Sequence, residues 1–132
     1  MKYINIIKAQ APMQQITKLK LPIKENKKSR LIYKMALDIK EIVDYLQQEQ
    51  FKIIEKYKGM FQQDGSVSFG NDKDGVDRAN ACMAEIQALE NMDVEWNYDK
   101  ITLSTESLGE ADDFSLSPEE IYYLEGFIEF ED

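Results

Sequence analysis

One stretch of the chain, residues 25 to 58, constrains the fold more than any other because its apolar residues recur at helical spacing. The intervals are three, four or seven positions, close to a heptad pattern, and the members are Ile32, Met35, Ile39, Ile42, Leu46, Ile53 and Tyr57. Further apolar residues widen the stripe, so we expect packing against more than one neighbour: Leu31, Val43 and Ile54. The stretch therefore predicts an amphipathic helix about 50 Å long, the spine of the fold.

A spine of this length needs more than one partner to cover it. Residues 4 to 19 and residues 74 to 91 each carry an apolar side at helical spacing. We expect both to form shorter helices that fold back antiparallel, one on each end of the spine. Between the spine and the second of these helices, Asp64-Gly65 is a strong turn signal, which predicts a β-hairpin over residues 61 to 69.

The last third of the chain changes period. Val94, Trp96 and Tyr98 alternate with polar residues, so residues 94 to 103 read as strands of a small antiparallel sheet. Ser117, Pro118 and Glu120 form a capping-box sequence, which predicts a final helix over residues 118 to 129. The sequence thus indicates one α+β domain over residues 1 to 132, with a long amphipathic helix, shorter antiparallel helices, a β-hairpin and a capped C-terminal helix.

The residue types argue against catalysis. The chain has no histidine, the commonest general base and metal ligand. Its one cysteine, Cys82, lies beside an apolar helical stripe and is expected to be a buried thiol. A calcium-loop reading of residues 70 to 81 fails because Gly70 and Ala81 stand where two oxygen ligands belong, and an Asp N-cap explains the stretch better. We expect no enzyme activity, no cofactor and no metal site.

Charge is segregated along the chain. The net charge is −9, but residues 1 to 61 carry 13 basic and 6 acidic residues, while residues 62 to 132 carry 3 and 19. A cluster at the start of the spine forms a candidate basic patch: Lys18, Lys20, Lys24, Lys27, Lys28, Arg30 and Lys34. A candidate acidic patch lies near the C-terminal helix: Asp112, Asp113, Glu119, Glu120 and Glu125.

The basic patch has several readings. The acidic half of the same chain, or of a second copy, is the nearest source of neutralising charge, since cations at a helix N-terminus oppose the helix dipole. The acidic face of a partner protein is an alternative. Nucleic acid is less favoured because Tyr33 is the one aromatic residue nearby, whereas single-strand binding needs stacking platforms. No apolar run is long enough to span a membrane, so no membrane partner is expected.

Several segments resemble a family of small proteins encoded by phages and prophages of Gram-positive bacteria. The matching pieces cover most of the chain: LKLPIK at 19–24, RLIYKMALDI at 30–39, IIEKY at 53–57, MAEIQALENMDVEW at 83–96 and LSPEEIYYLEGFI at 116–128. The resemblance carries over no enzymatic activity and no site residues to this chain. Some members of the family resemble proteins whose genes lie among late structural and lysis genes, which implies a role in virion assembly.

These observations together favour a non-enzymatic phage or prophage protein that binds a phage structural or host protein, in the host cytoplasm or on the virion. Homo-oligomerisation is compatible with this reading. An alternative is an anti-defence inhibitor whose acidic half mimics the phosphates of a nucleic acid. A second alternative is weak nucleic-acid binding through residues 18 to 34.

Overall fold

The structure is a computed structural model that describes residues 1–104 and 115–131. The described residues form four α-helices: α1 (Tyr3–Ile16), α2 (Asn26–Lys56), α3 (Lys73–Glu90) and α4 (Pro118–Leu124). They also form two small sheets, in which β1 (Met60–Phe61) pairs antiparallel with β2 (Val67–Ser68) and β3 (Ile101–Ser104) pairs parallel with β4 (Ile128–Glu131). The α+β class, the long helix and the antiparallel hairpin are confirmed.

Helix α2 is the spine, and a 3-10 turn at Ile23–Glu25 leads into it. Its buried residues follow the predicted stripe, with Val43 taking the central position in place of Ile42. α1 packs along the first half of α2 and runs through the buried Pro12 as one helix. α1 ends at Ile16, three residues before the predicted boundary, because the chain must leave the helix to reach Pro22.

The main core lies where α1, the first half of α2, α4 and the β3–β4 pair meet. Its side chains are almost completely buried, and each such aliphatic or aromatic side chain contributes about 1.5–3 kcal/mol relative to exposure. No charged or polar residue among the described ones is buried with them. The core residues are Ile6, Ala9, Met13, Ile16, Ile32, Met35, Ile39, Val43, Ile101, Leu103, Leu124, Phe127 and Ile128.

The second half of α2 is covered by α3 and the β1–β2 hairpin. Asp72 caps α3, since its carboxylate accepts a hydrogen bond from Gly75 N over 3.0 Å, as the Asp N-cap reading predicts. A side chain at Gly75 would clash, because an added Cβ would lie 2.4 Å from Phe69 O. Glycine is therefore needed where α3 begins against the hairpin.

Two predictions for the C-terminal third are wrong. Residues 94 to 100 form no strand, and β3 pairs parallel with β4 where an antiparallel sheet was expected. The last helix ends at Leu124 and does not reach residue 129, because the chain turns at 125–127 and continues as β4. The alternation of Ile128, Glu129, Phe130 and Glu131 is the strand signal that the helical reading overlooked.

Candidate binding surfaces

The structure gathers the basic patch at the N-terminal end of α2. Lys18 and Lys20 lie in the link between α1 and α2, and Lys24 lies in the 3-10 turn. The helical members are divided: Lys27, Arg30 and Lys34 recur at intervals of three and four on one side of α2, while Lys28 faces residues 97 to 102. Lys34 also borders residues 95 to 98, so five of the seven are presented outward around the start of the spine.

Most of this charge is unneutralised within the described residues. Lys28 Nζ lies 3.9 Å from Glu25 Oε1, and Lys34 Nζ lies 5.9 Å from the ring centroid of Tyr98. The other five members form no ion pair with any residue in ranges 1–104 and 115–131. In those ranges, the basic and acidic halves are joined by a single ion pair, Lys56–Glu85. Apart from Glu25 beside Lys28, the described acidic residues therefore form no ion pair with the patch.

An exposed apolar residue lies within this charge. Ile23 is 93% exposed in the 3-10 turn, between the patch residues Lys20 and Lys24. On α2, Tyr33 and Leu37 are also exposed, at 62% and 45%. In the sequence, Ile23 stands within the basic stretch of residues 18 to 34. Its isolation between lysines, outside the helical stripe, was the available signal.

Two of the described members of the acidic patch, Glu119 and Glu120, form local hydrogen bonds. Asp112 and Asp113 lie outside the described residues. Glu120 completes the capping box by accepting from Ser117 N over 3.1 Å, and it also accepts from Gln15 Nε2 over 2.5 Å. Glu119 accepts from Tyr123 Oη, which raises the pKa of that phenol. Glu120 therefore has a structural role, and nucleic-acid mimicry by this patch stays a prediction.

A groove that the sequence analysis did not foresee runs between α2 and residues 95 to 102. Two cavities follow one another along it. The first, of about 400 Å³, lies between residues 34–42 of α2 and residues 95–98. The second, of about 450 Å³, lies between residues 28–35 and residues 97–102. Residues 95 to 102 therefore run antiparallel to α2, and Tyr98 borders both cavities.

Tyr98 ties the two walls of the groove together. Its hydroxyl donates a hydrogen bond to the Asp38 carboxylate on α2, and this bond, assisted by desolvation, raises the pKa of Tyr98 to about 12. Trp96 packs beside it, with ring centroids 4.9 Å apart, and contacts Phe127 of the core at 5.2 Å. The indole Nε1–H of Trp96 is buried without an acceptor among the described residues. Aromatic packing against Tyr98 and Phe127 therefore holds the wall formed by residues 95 to 98 in place.

The cysteine and the carboxylates of the described residues can be placed individually. Cys82 is buried, and desolvation raises the pKa of its thiol, with a further contribution from Glu85. Across 1–104 and 115–131, no group of three or more carboxylate or thiol side chains is arranged to hold a metal ion. Within the same ranges, no helix combines the length and the apolarity required to cross a bilayer.

Comparisons of the chain with protein-family models, with curated proteins and with solved structures find no match. The resemblance to phage and prophage proteins consequently stays a prediction, and the function must be argued from the surfaces themselves.

Proposed function

We propose that this chain is a non-catalytic phage or prophage protein that binds another protein, with an acidic surface of that partner docking on the basic patch. The observation that carries the proposal is the exposure of Ile23, at 93%, between lysines that form no ion pair within the described residues. An apolar anchor ringed by solvated charge is a common arrangement at protein-binding sites.

The energetics favour a protein partner. Burying Ile23 in an apolar pocket contributes about 1.5–3 kcal/mol, and Tyr33 and Leu37 extend the area that a partner can cover. Carboxylates around that pocket would speed association, and the effect would weaken with salt. A sugar-phosphate backbone matches the lysines but offers no pocket for Ile23, so nucleic acid accounts for only part of the surface.

The test is affinity capture from phage-infected host cells, read by mass spectrometry at low and high salt. The tagged wild-type chain is compared with Ile23→Ser and with the double variant Lys24→Glu/Lys27→Glu. The matched control, Lys40→Glu/Lys73→Glu, makes the same charge change at exposed residues outside the patch. We expect both patch variants to lose a defined protein that the control retains.

Three results would contradict the proposal. Retention of the same protein by both patch variants would show that another surface binds it. Recovery of nucleic acid, lost on the same charge reversals but unaffected by Ile23→Ser, would favour the weak nucleic-acid reading. Turnover of a substrate that disappears on a single carboxylate substitution would show that the chain is an enzyme.

A further inference from the structure

The chain beside α2 leaves its backbone N–H and C=O groups without partners among the described residues. Residues 95 to 100, the edge segment, form no backbone hydrogen bond within the described ranges. The residues on either side are bonded: Val94 N donates to Met1 O over 2.7 Å, and Ile101 N donates to Phe127 O over 2.9 Å. A segment held at both ends, with unpaired backbone groups between them, offers donors and acceptors with which an added strand can pair.

The groove has the length of a short peptide. Its helical wall extends over residues 28 to 42 of α2, a span of about 21 Å at ~1.5 Å per residue. A strand of six residues spans about 20 Å at ~3.3 Å per residue, which matches the six residues of the edge segment. A peptide of this length could therefore pair with the whole edge while its side chains enter the two cavities.

The two cavities differ in chemistry. Asp38, Glu41 and Glu95 border the first, against one cation, Lys34, so this end favours a positively charged side chain. The second is bordered by the apolar residues Leu31, Met35 and Ile101, with the charged residues Lys28, Asp99 and Lys100 also in its lining. The apolar part favours an aliphatic or aromatic side chain. Tyr98 separates the two sites.

From these features we infer that the groove binds an extended segment of another protein by strand addition, with a Lys or Arg side chain in the first cavity and an apolar side chain in the second. The backbone of the edge segment supplies the affinity and the cavities supply the specificity. The groove shares Lys28 and Lys34 with the basic patch, but Ile23, Lys24 and Lys27 do not line it. The inference therefore does not depend on the function proposed above.

The first experiment selects binders from a library of random, terminally capped nonapeptides on the immobilised full chain. We expect enrichment of peptides that combine a basic residue with a β-branched or aromatic residue. Their affinity is then measured by fluorescence, since the single tryptophan, Trp96, borders the first cavity and reports on its occupancy.

Hydrogen exchange then tests the binding mode. In a strand, successive N–H groups point to opposite edges, so an added strand should slow exchange at alternate residues of the edge segment. N-methylation should abolish binding at those alternate peptide residues whose N–H groups face the edge segment, and should be tolerated at the residues between them. Glu41→Lys/Glu95→Lys should weaken the selected peptides at least about tenfold, whereas the control Asp44→Lys/Glu55→Lys, at exposed positions away from the groove, should not.

Each alternative has a distinct outcome. A library that yields no binder, or binders whose affinity is indifferent to Glu41→Lys/Glu95→Lys, would overturn the inference. Protection confined to α2 would point to a helical ligand in place of a strand. Loss of peptide binding in Lys24→Glu/Lys27→Glu would assign binding to the basic patch, so failure of this site and failure of the proposed function remain distinguishable.

Discussion

Arg78 fastens three elements at the far end of the spine. Its guanidinium donates to Tyr57 O at the end of α2 over 2.7 Å and to Phe69 O after the hairpin over 2.9 Å. Its Nε also donates to Asp74 over 2.9 Å, one turn earlier in α3. Because the planar fork reaches two carbonyl oxygens at once, lysine cannot reproduce the arrangement.

The cost of losing this contact can be worked from its geometry. A hydrogen bond from a charged donor contributes about 1.5–3 kcal/mol when well shielded. The Arg78 side chain is 26% exposed, so water recovers part of the loss. We therefore expect Arg78→Met to lower the free energy of unfolding by about 2–4 kcal/mol, and Arg78→Lys to recover less than half of that.

Urea unfolding followed by circular dichroism measures the change. The matched control is Asp74→Asn, which removes the ion pair but spares both carbonyl contacts. Asp74 is 76% exposed, so this variant should cost less than about 0.5 kcal/mol. If Arg78→Met proved no more destabilising than Asp74→Asn, the carbonyl contacts would contribute nothing and the reasoning would fail.

Three further predictions concern single side chains. Hydrogen bonding to Asp38 raises the pKa of Tyr98 to about 12 from 10.0. The stabilising effect of this hydrogen bond is therefore present below pH 10.0 and lost as the pH rises towards about 12. In an ultraviolet titration of the tyrosines, the transition at the highest pH should be missing from Tyr98→Phe. Ser117→Ala breaks the capping box and should cost about 1 kcal/mol in urea unfolding, whereas Ser117→Thr should be near neutral. Burial and a raised pKa should keep Cys82 unreactive towards a thiol dye until the chain unfolds; prompt labelling of the native protein would contradict this.

Features that depend on local chemistry could be predicted from the sequence. The cap at Ser117 and the cap at Asp72 each rest on a side chain and a backbone N–H three residues away. The turn at Asp64-Gly65 also depends on residues adjacent in sequence. The Asp64 carboxylate accepts a hydrogen bond from Ser66 N, and Gly65 adopts a φ of 87°. The stripe of α2 repeats often enough for its period to be read directly.

Features that depend on contacts between residues distant in sequence could not be predicted in this way. The alternation at 128–131 signals a strand, but nothing near residue 128 indicates that its partner is Ile101, parallel to it across the core. The seven basic residues were identified in advance, but their lack of described acidic partners depends on where α4 and β4 pack. The groove likewise exists because Tyr98 reaches Asp38, 60 residues away. Tertiary geometry, and not residue type, decides these points.

The parallel β3–β4 pair and the packing of α1 against α4 also set the order in which the molecule can assemble. Gln15 bonds Glu120 across 105 residues, whereas Arg78 bonds Tyr57 across 21. During synthesis, the end of the spine with the hairpin and α3 can form early, because all of its contacting residues precede residue 91. The length of the closed loop matters less, since each doubling costs only about 0.6 kcal/mol. The main core must wait for α4 and β4. Until they leave the ribosome, the apolar faces of α1 and α2 remain uncovered, so a prematurely terminated chain should aggregate or be degraded.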